Sequence, residues 1–453
     1  MNQIDFDHGS VHANIMQAAL PMLAAQILSL LYSIVDRMYI GRIPGTGTLA
    51  LGGVGLCFPV VMLMTAFANL YGFGGAPLCA MERGRGNTEA ARKVMNTAFF
   101  MLLLCGVLLT AAAYILAVPM LRLFGASDET LPYAYSYLQI YAAGTVPYML
   151  ATGLNPYINA QGFARKGMQT VFIGAVSNII LDPVMIFGLG LGIRGAAIAT
   201  VLSQILSMVT ALRFLLSEQA ELRLALLKPR ELDLHLVSNI TGLGFSNFVM
   251  QFTNSLVAVV CNHVLSGYGG DIAVSVYTIV SSVRSIMDVP LLAVSNGSGP
   301  VLSYNYGARR PGRLKEAIRI ICRLGVAYTV LSWILILAFP EFFIRIFTSD
   351  RELISHAVPA LHIYFFAFIF QVFQYCAQSV FKSLNMKYRA IFFSLFRKVV
   401  LVVPLTLILP RIGGLGARGV YMAEPISNAV GGLACFLTML FTVYRSLKTS
   451  QPA

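Results

Sequence analysis

Leu191-Gly192-Ile193-Arg194-Gly195 and Leu415-Gly416-Ala417-Arg418-Gly419 are one phrase written twice, 224 residues apart. The repetition extends outward from it. Gly74, Pro77 and Gly84 recur as Gly297, Pro300 and Gly307, Arg122 and Phe124 as Arg345 and Phe347, and Leu138, Ile140 and Tyr141 as Leu361, Ile363 and Tyr364, all at a spacing of 223. Glycine and proline dictate backbone geometry, so repeating them in one order predicts one fold built twice. Duplicated membrane proteins of this kind are most often transporters with a binding site between the halves.

A chain of 453 residues that is 57% hydrophobic and only 11% charged calls for lipid as its solvent. Roughly a dozen apolar runs, among them Ala98 to Met120, Val171 to Leu191 and Ala196 to Leu216, approach the 20 or so residues needed to cross the hydrocarbon. They are continuous rather than alternating, which predicts helices and not a barrel. The first run begins near Ile15 without a basic stretch before it and reads as a retained span. Helices are predicted at 14–40, 48–81, 94–120, 132–158, 168–190 and 195–217, then at 236–266, 272–305, 316–340, 355–380, 389–410 and 419–446. The fold class is therefore all-α integral membrane, with twelve transmembrane helices. Residues 1–217 form one six-helix bundle, 218–235 a polar cytoplasmic linker, and 236–453 the second bundle. With six spans each, both halves enter from one side, so a pseudo-two-fold axis along the membrane normal relates them.

The net charge of +13 raises nucleic acid as a partner, but the basic residues sit on every second connection: Arg83 to Lys93, Arg165 with Lys166, Arg213 to Arg230, Arg309 to Arg323 and Lys382 to Arg389. That is positive-inside asymmetry, with both termini cytoplasmic, and it leaves no nucleic-acid patch. Seven scattered cysteines and six scattered histidines give no CxxC or Cys/His spacing, so neither a zinc site nor a disulfide framework is suggested. No paired nucleophile and base speaks for an enzyme. No cofactor is expected.

An ionisable side chain inside a span costs a few kcal/mol and needs a reason. Asp36 in the first helix and Asp182 in the fifth stand at one depth, each about five to eight residues, or roughly 10 Å, from the outer end. Asn178 lies one turn from Asp182, and Tyr137 and Thr200 fall at the same height. Such a ring can hold a proton on one carboxylate or a small hard cation such as Na+ among Asp36, Asn178 and Asp182. The plainer alternative is that Asp36, beside Arg37, pairs with a cation to hold helices together. Aligning the halves puts Asn262 opposite Asp36, Ala360 opposite Tyr137 and Glu424 opposite Thr200, with no acid opposite Asp182. Coupling is thus expected in the first half, with Glu424 alone at that level in the second. In helix 8, Arg284 and Asp288 stand at i and i+4, either as a structural ion pair or as charged contacts in a substrate cavity where Asp288 attracts cations. Gln251 in helix 7 and Gln374 in helix 10 either line that cavity or bond across helices.

Val35-Asp36-Arg37-Met38-Tyr39-Ile40-Gly41-Arg42, Ala160-Gln161-Gly162, Asn178-Ile179-Ile180-Leu181-Asp182-Pro183, Gly195-Ala196-Ala197-Ile198-Ala199-Thr200 and Ser303-Tyr304-Asn305-Tyr306-Gly307-Ala308 together resemble the multidrug and toxic compound extrusion (MATE) family, in its prokaryotic DinF and MepA branch. The resemblance runs from about Ala18 to Val443. It implies two six-helix bundles around a V-shaped cavity, alternating access, and export driven by H+ or Na+. It matches Asp36, Asn178, Asp182, Thr200 and Tyr137 to the family's first-half ion site. Some relatives place acids in helices 7 and 10, where this chain has amides. The expectation is a monomeric antiporter in a prokaryotic inner membrane that exports amphipathic, cationic small molecules. A lipid-linked saccharide flippase of the wider superfamily is the alternative, and would favour a more basic cavity.

Overall fold

The computed structural model describes residues 3–225 and 232–447. Part of the expected linker, 226–231, lies outside the described residues. The first repeat runs α1 (Val11–Gly41), α2 (Gly47–Gly84), α3 (Thr88–Ile115), α4 in two pieces (Leu131–Ala143 and Thr145–Ala160), α5 (Ala164–Gly188) and α6 (Gly192–Leu216). The second runs α7 (Leu234–Gly270), α8 (Ile272–Gly307), α9 (Pro311–Ala338), α10 in two pieces (Arg351–Phe365 and Gln371–Ser383), α11 (Lys387–Arg411) and α12 (Ala417–Tyr444). Ten of these helices are long and apolar enough to cross a membrane, and the bent pair in α10 makes eleven. The twelfth, α4, is interrupted at Gly144 and diluted by Thr145, Thr152, Asn155 and Asn159. Leu108, Phe252, Leu331 and Phe441 are all more than half exposed, as lipid-facing residues should be when the surrounding solvent is hydrocarbon.

The duplication is legible in the backbone even where the sequence has drifted. Gly86 and Gly162 turn the chain with φ of 76° and 88°, and the two residues 223 positions later, Arg309 and Asn385, adopt φ of 55° and 60°. Those two are the only non-glycine residues with positive φ among the described residues. The left-handed turn has been kept although the residue that makes it easy has not. The long third and ninth helices expected from the apolar runs are broken at matching places. A short helix Ala117–Leu123 follows α3 and another, Pro340–Arg345, follows α9, so the repeated Arg122 and Arg345 end interfacial turns rather than spans. Pro340 opens the second and Pro119 lies in the first turn of the first, where each keeps the preceding long helix from running on.

The chain divides into two compact units whose seams fall inside helices. Unit 1 gathers Leu20–Asn247 with the N-terminal segment up to Phe6; unit 2 gathers Asp7–Ala19 with the chain from Phe248 onward. The repeated glycines explain the assignment of these helix ends. In unit 1, a Cβ on Gly74 of α2 would stand 2.2 Å from the Ile240 carbonyl oxygen of α7, and one on Gly244 of α7 would stand 1.7 Å from the Leu70 carbonyl oxygen. In unit 2, a Cβ on Gly297 of α8 would stand 2.6 Å from the Ala19 Cα of α1. Each repeat's second helix thus presses backbone to backbone on the end of a helix from the other repeat, as small residues allow in lipid.

The connection after α6 is pinned to unit 1. Leu222 N–H donates to Gln161 Oε1 at 2.8 Å, Ala225 N–H to Asn96 Oδ1 at 3.0 Å, and Glu221 pairs with the buried Arg83. At its far end Asp233 accepts from the His235 and Leu236 backbone at the start of α7 and faces Lys93. The Leu236 hydrogen bond, with Lys93, holds its carboxyl below the usual range.

Candidate functional site

Unit 1 brings Asp36, Tyr137, Asn178, Asp182 and Thr200 together from four helices. Asp182 is fully buried one residue before Pro183, after which α5 widens into a π turn over Val184–Gly188. Such turns mark places where helix regularity yields to a local demand. Asn178, one turn earlier, donates to Asp182 Oδ1 at 3.3 Å and lies 3.4 Å from Thr200 Oγ1 of α6. The Asp36 and Asp182 carboxyls interact directly, and Tyr137 reaches Thr200 while stacking on Tyr141 with centroids 5.7 Å apart. The Arg37 guanidinium lies over the Phe58 ring, 5.7 Å from the centroid. Asp36 Oδ1, Asn178 Oδ1 and Asp182 Oδ2 are buried without a hydrogen-bond partner. Three buried oxygens left without a partner on neighbouring side chains are an unmet demand for a proton or a cation. Among the described residues no set of three or more His, Cys, Asp or Glu side chains forms a metal site, so any cation here would rest on two carboxylates plus neutral oxygens.

Thr200 also lines a cavity of about 340 Å³ within unit 1, whose wall includes Tyr32, Asn155, Thr170, Ser203 and Gln204. Gln204, one turn beyond Thr200, carries a further orphan oxygen. Sequence reasoning missed it, because a lone glutamine in an apolar run looks like interhelical glue. Its i+4 spacing from Thr200 was the available signal.

The positions opposite the two carboxylates in the repeat are neutral. Asn262 Oδ1 is a buried orphan, and Thr406, which takes Asp182's place, is fully buried 3.8 Å from the Cys261 sulfur.

Unit 2 instead assembles charge around Glu424, an acid that the sequence alone gives no partners. Glu424 accepts from Arg284 Nη1 at 2.6 Å, from Lys398 Nζ at 3.2 Å and from Arg397 Nη1 at 3.4 Å. Asp288 lies 3.6 Å from Arg284 Nε and accepts from Gln371 Nε2 at 2.6 Å, so the i, i+4 pair is formed and Asp288 is not free. Arg397 also donates to Asn428. Gln374 bonds across to the Phe393 carbonyl at 3.4 Å, and Gln251 stands exposed on α7. Arg397 and Lys398 were not foreseen. They sit in a π turn, Phe396–Val402, whose wider winding aims two consecutive side chains at one neighbour on α12. The signal was present: an Arg-Lys pair between Phe396 and Val399, deep in an apolar run.

Two repeated bundles of helices long and apolar enough to cross a membrane, with polar centres buried within the spans, are the architecture of a membrane transporter. The chain belongs to the MatE family, the multidrug and toxic compound extrusion transporters, whose family profile matches residues 21–184 and 247–408. One segment falls in each repeat. Among curated relatives, a protein of Shewanella oneidensis named "FAD transporter" is 24% identical over 446 residues, covering 95% of each chain. "Multidrug export protein MepA" of Staphylococcus aureus is 22% identical over 435 residues, covering 95% of this chain and 94% of that one. Among solved structures, "Outward-facing conformation of a multidrug resistance MATE family transporter of the MOP superfamily" superposes with a TM-score of 0.91 at 23% identity, over 99% of both chains. The all-α, twelve-helix, two-bundle architecture is that of this family.

Proposed function

We propose that this transporter is a secondary antiporter that exports amphipathic organic molecules in exchange for H+ or Na+, with the exchange seated in unit 1. The observation that carries the reading is the direct contact of Asp36 with Asp182 amid orphaned oxygens of Asn178 and Asp182. Two carboxylates so close repel when both are ionised, and a proton or a small cation between them relieves the repulsion. Occupied and empty states then favour different packings of α1, α5 and α6, and that difference is the free energy through which an ion gradient can drive export. Asn178 orients Asp182, Thr200 links the carboxylates to the cavity in unit 1, and Tyr137 closes the remaining side. The protein works as a monomer in the cytoplasmic membrane of a prokaryote, with both termini inside, where the basic connections place them.

The test is transport by everted vesicles under a pH gradient and, separately, a Na+ gradient. Asp182→Asn, which keeps size and hydrogen bonding, is expected to insert normally and to abolish gradient-driven export. A fully active Asp182→Asn protein would remove Asp182 from the mechanism. The lipid-linked saccharide flippase remains a second reading because one observation favours it: the basic excess around Glu424 in unit 2. Export without any ion gradient would be its signature.

A further inference from the structure

The charges gathered around Glu424 do not balance among the described residues. Arg284, Arg397 and Lys398 are three cations, and Glu424 with Asp288 supplies two carboxylates. Side chains of Arg284, Lys398 and Arg397 are only 8%, 10% and 11% exposed, and Glu424 is 4% exposed. An uncompensated positive charge this deep in a membrane-spanning bundle is unstable without a counter-ion. The cluster is not sealed, since Asp288 keeps 18% of its side chain exposed at its edge. It also holds donor capacity beyond what the protein uses: Asn428 Nδ2 is buried without a partner. A guanidinium fork, an ammonium and a free amide N–H in one place match a carboxylate or phosphate. Tyr364, whose ring lies 5.5 Å beneath the Arg284 guanidinium, adds an aromatic surface beside the charge.

We propose that the Arg284–Arg397–Lys398 cluster of unit 2 binds the head of an organic anion, a carboxylate or phosphate on an apolar body, as its missing counter-charge. This rests on the reading of the chain as an exporter and names the substrate class, reversing the expected sign. The ground for a cationic cargo was a free Asp288, and Asp288 is already held by Arg284 and Gln371. Unit 1 keeps the acids and unit 2 takes the anion, so coupling ion and cargo need not compete for one site. The same head group could come from a soluble metabolite or from an anionic lipid.

The experiment measures equilibrium binding of flavin mononucleotide and of riboflavin, the same ring without phosphate, to full-length protein in phosphatidylcholine nanodiscs without any ion gradient. Flavin mononucleotide is expected to bind about tenfold or more tightly than riboflavin, as charge-assisted hydrogen bonds to a phosphate provide. Lys398→Gln leaves two cations facing two carboxylates and is expected to erase that preference. Asp288→Asn raises the excess and is expected to widen it. The two variants shift charge in opposite directions, so a folding defect in either cannot imitate the pattern. Including phosphatidylglycerol in the discs separates the sources: loss of flavin mononucleotide binding marks a lipid head group as the occupant, and unchanged binding marks a soluble anion. Both results support an anion site. Equal binding of the two flavins by the unmodified protein, or a preference that survives Lys398→Gln, overturns the proposal. Because no gradient is applied, the binding result is independent of whether Asp182 couples export to ions.

Discussion

Replacing Glu424 by Gln should be among the most damaging single changes available in unit 2. Glu424 alone faces all three buried cations, at 2.6, 3.2 and 3.4 Å. The amide retains an acceptor but not the charge, leaving Arg284, Arg397 and Lys398 opposed only by Asp288, which reaches just Arg284. Removing one partner of a buried ion pair costs about 3–5 kcal/mol, most of it the cost of stranding the other charge. At about 2–4 °C per kcal/mol for a unit of this size, the unfolding midpoint should fall on the order of 10 °C. A thiol-reactive fluorophore reads this directly in detergent, since Cys261, Cys376 and Cys435 are buried in unit 2 and label only on opening. A double-mutant cycle tests the charge balance more sharply. Lys398→Met alone balances the cluster and should cost about 1 kcal/mol or less, or even stabilise. In that background Glu424→Gln should lose at least about 1 kcal/mol of its penalty, because one fewer cation is stranded. An unfolding midpoint for Glu424→Gln within about 2 °C of the parent, or equal penalties in both backgrounds, would refute the reasoning.

Other positions give independent readings. Gly244→Ala places a methyl 1.7 Å from the Leu70 carbonyl oxygen, which is backbone and cannot swing aside, and should cost about 1–3 kcal/mol. Gly55→Ala in α2 meets nothing within 4 Å and should be neutral or slightly stabilising in the same thermal assay. Arg309→Gly relieves a left-handed residue at φ 55° and should raise stability by up to about 1 kcal/mol, whereas the same change at Arg310, whose φ is -104°, should not. Asn178→Ala removes the donor that orients Asp182, and half-maximal export should then need about tenfold more coupling ion, with the maximal rate less affected.

Most of the scaffold was legible because membrane folds announce themselves in composition, and duplication in punctuation. Gly74 with Gly297 predicted one backbone geometry used twice, and each stands where another helix's backbone approaches closely. The seams were not legible: nothing in Ala19 or Asn247 says that the ends of α1 and α7 pack with the other repeat, since that depends on which backbone fills the space beside a distant glycine. In unit 1 the carboxylate pair was readable from depth alone, as two acids five to eight residues from a helix end have few other partners. In unit 2 depth failed, because Arg397 and Lys398 were absorbed into a general excess of basic residues expected at membrane edges. Their burial follows from a π turn, which leaves no mark in composition. Gln204 escaped for a related reason: an amide declares a role only once its neighbours are known.

The opposite signs buried in the two repeats also bear on how such a protein can change over generations. Lys398 and Glu424 lie on different helices from every residue of the unit 1 carboxylate centre, and a substitution at either alters the charge of one interior while the other keeps its own. On the proposed division, selection acting on cargo could retune a single lysine without disturbing the exchange proposed for unit 1. A duplicated chain whose copies divided power and recognition as proposed would have two separately heritable parts, and relatives with one scaffold and unlike cargoes would be the expected outcome.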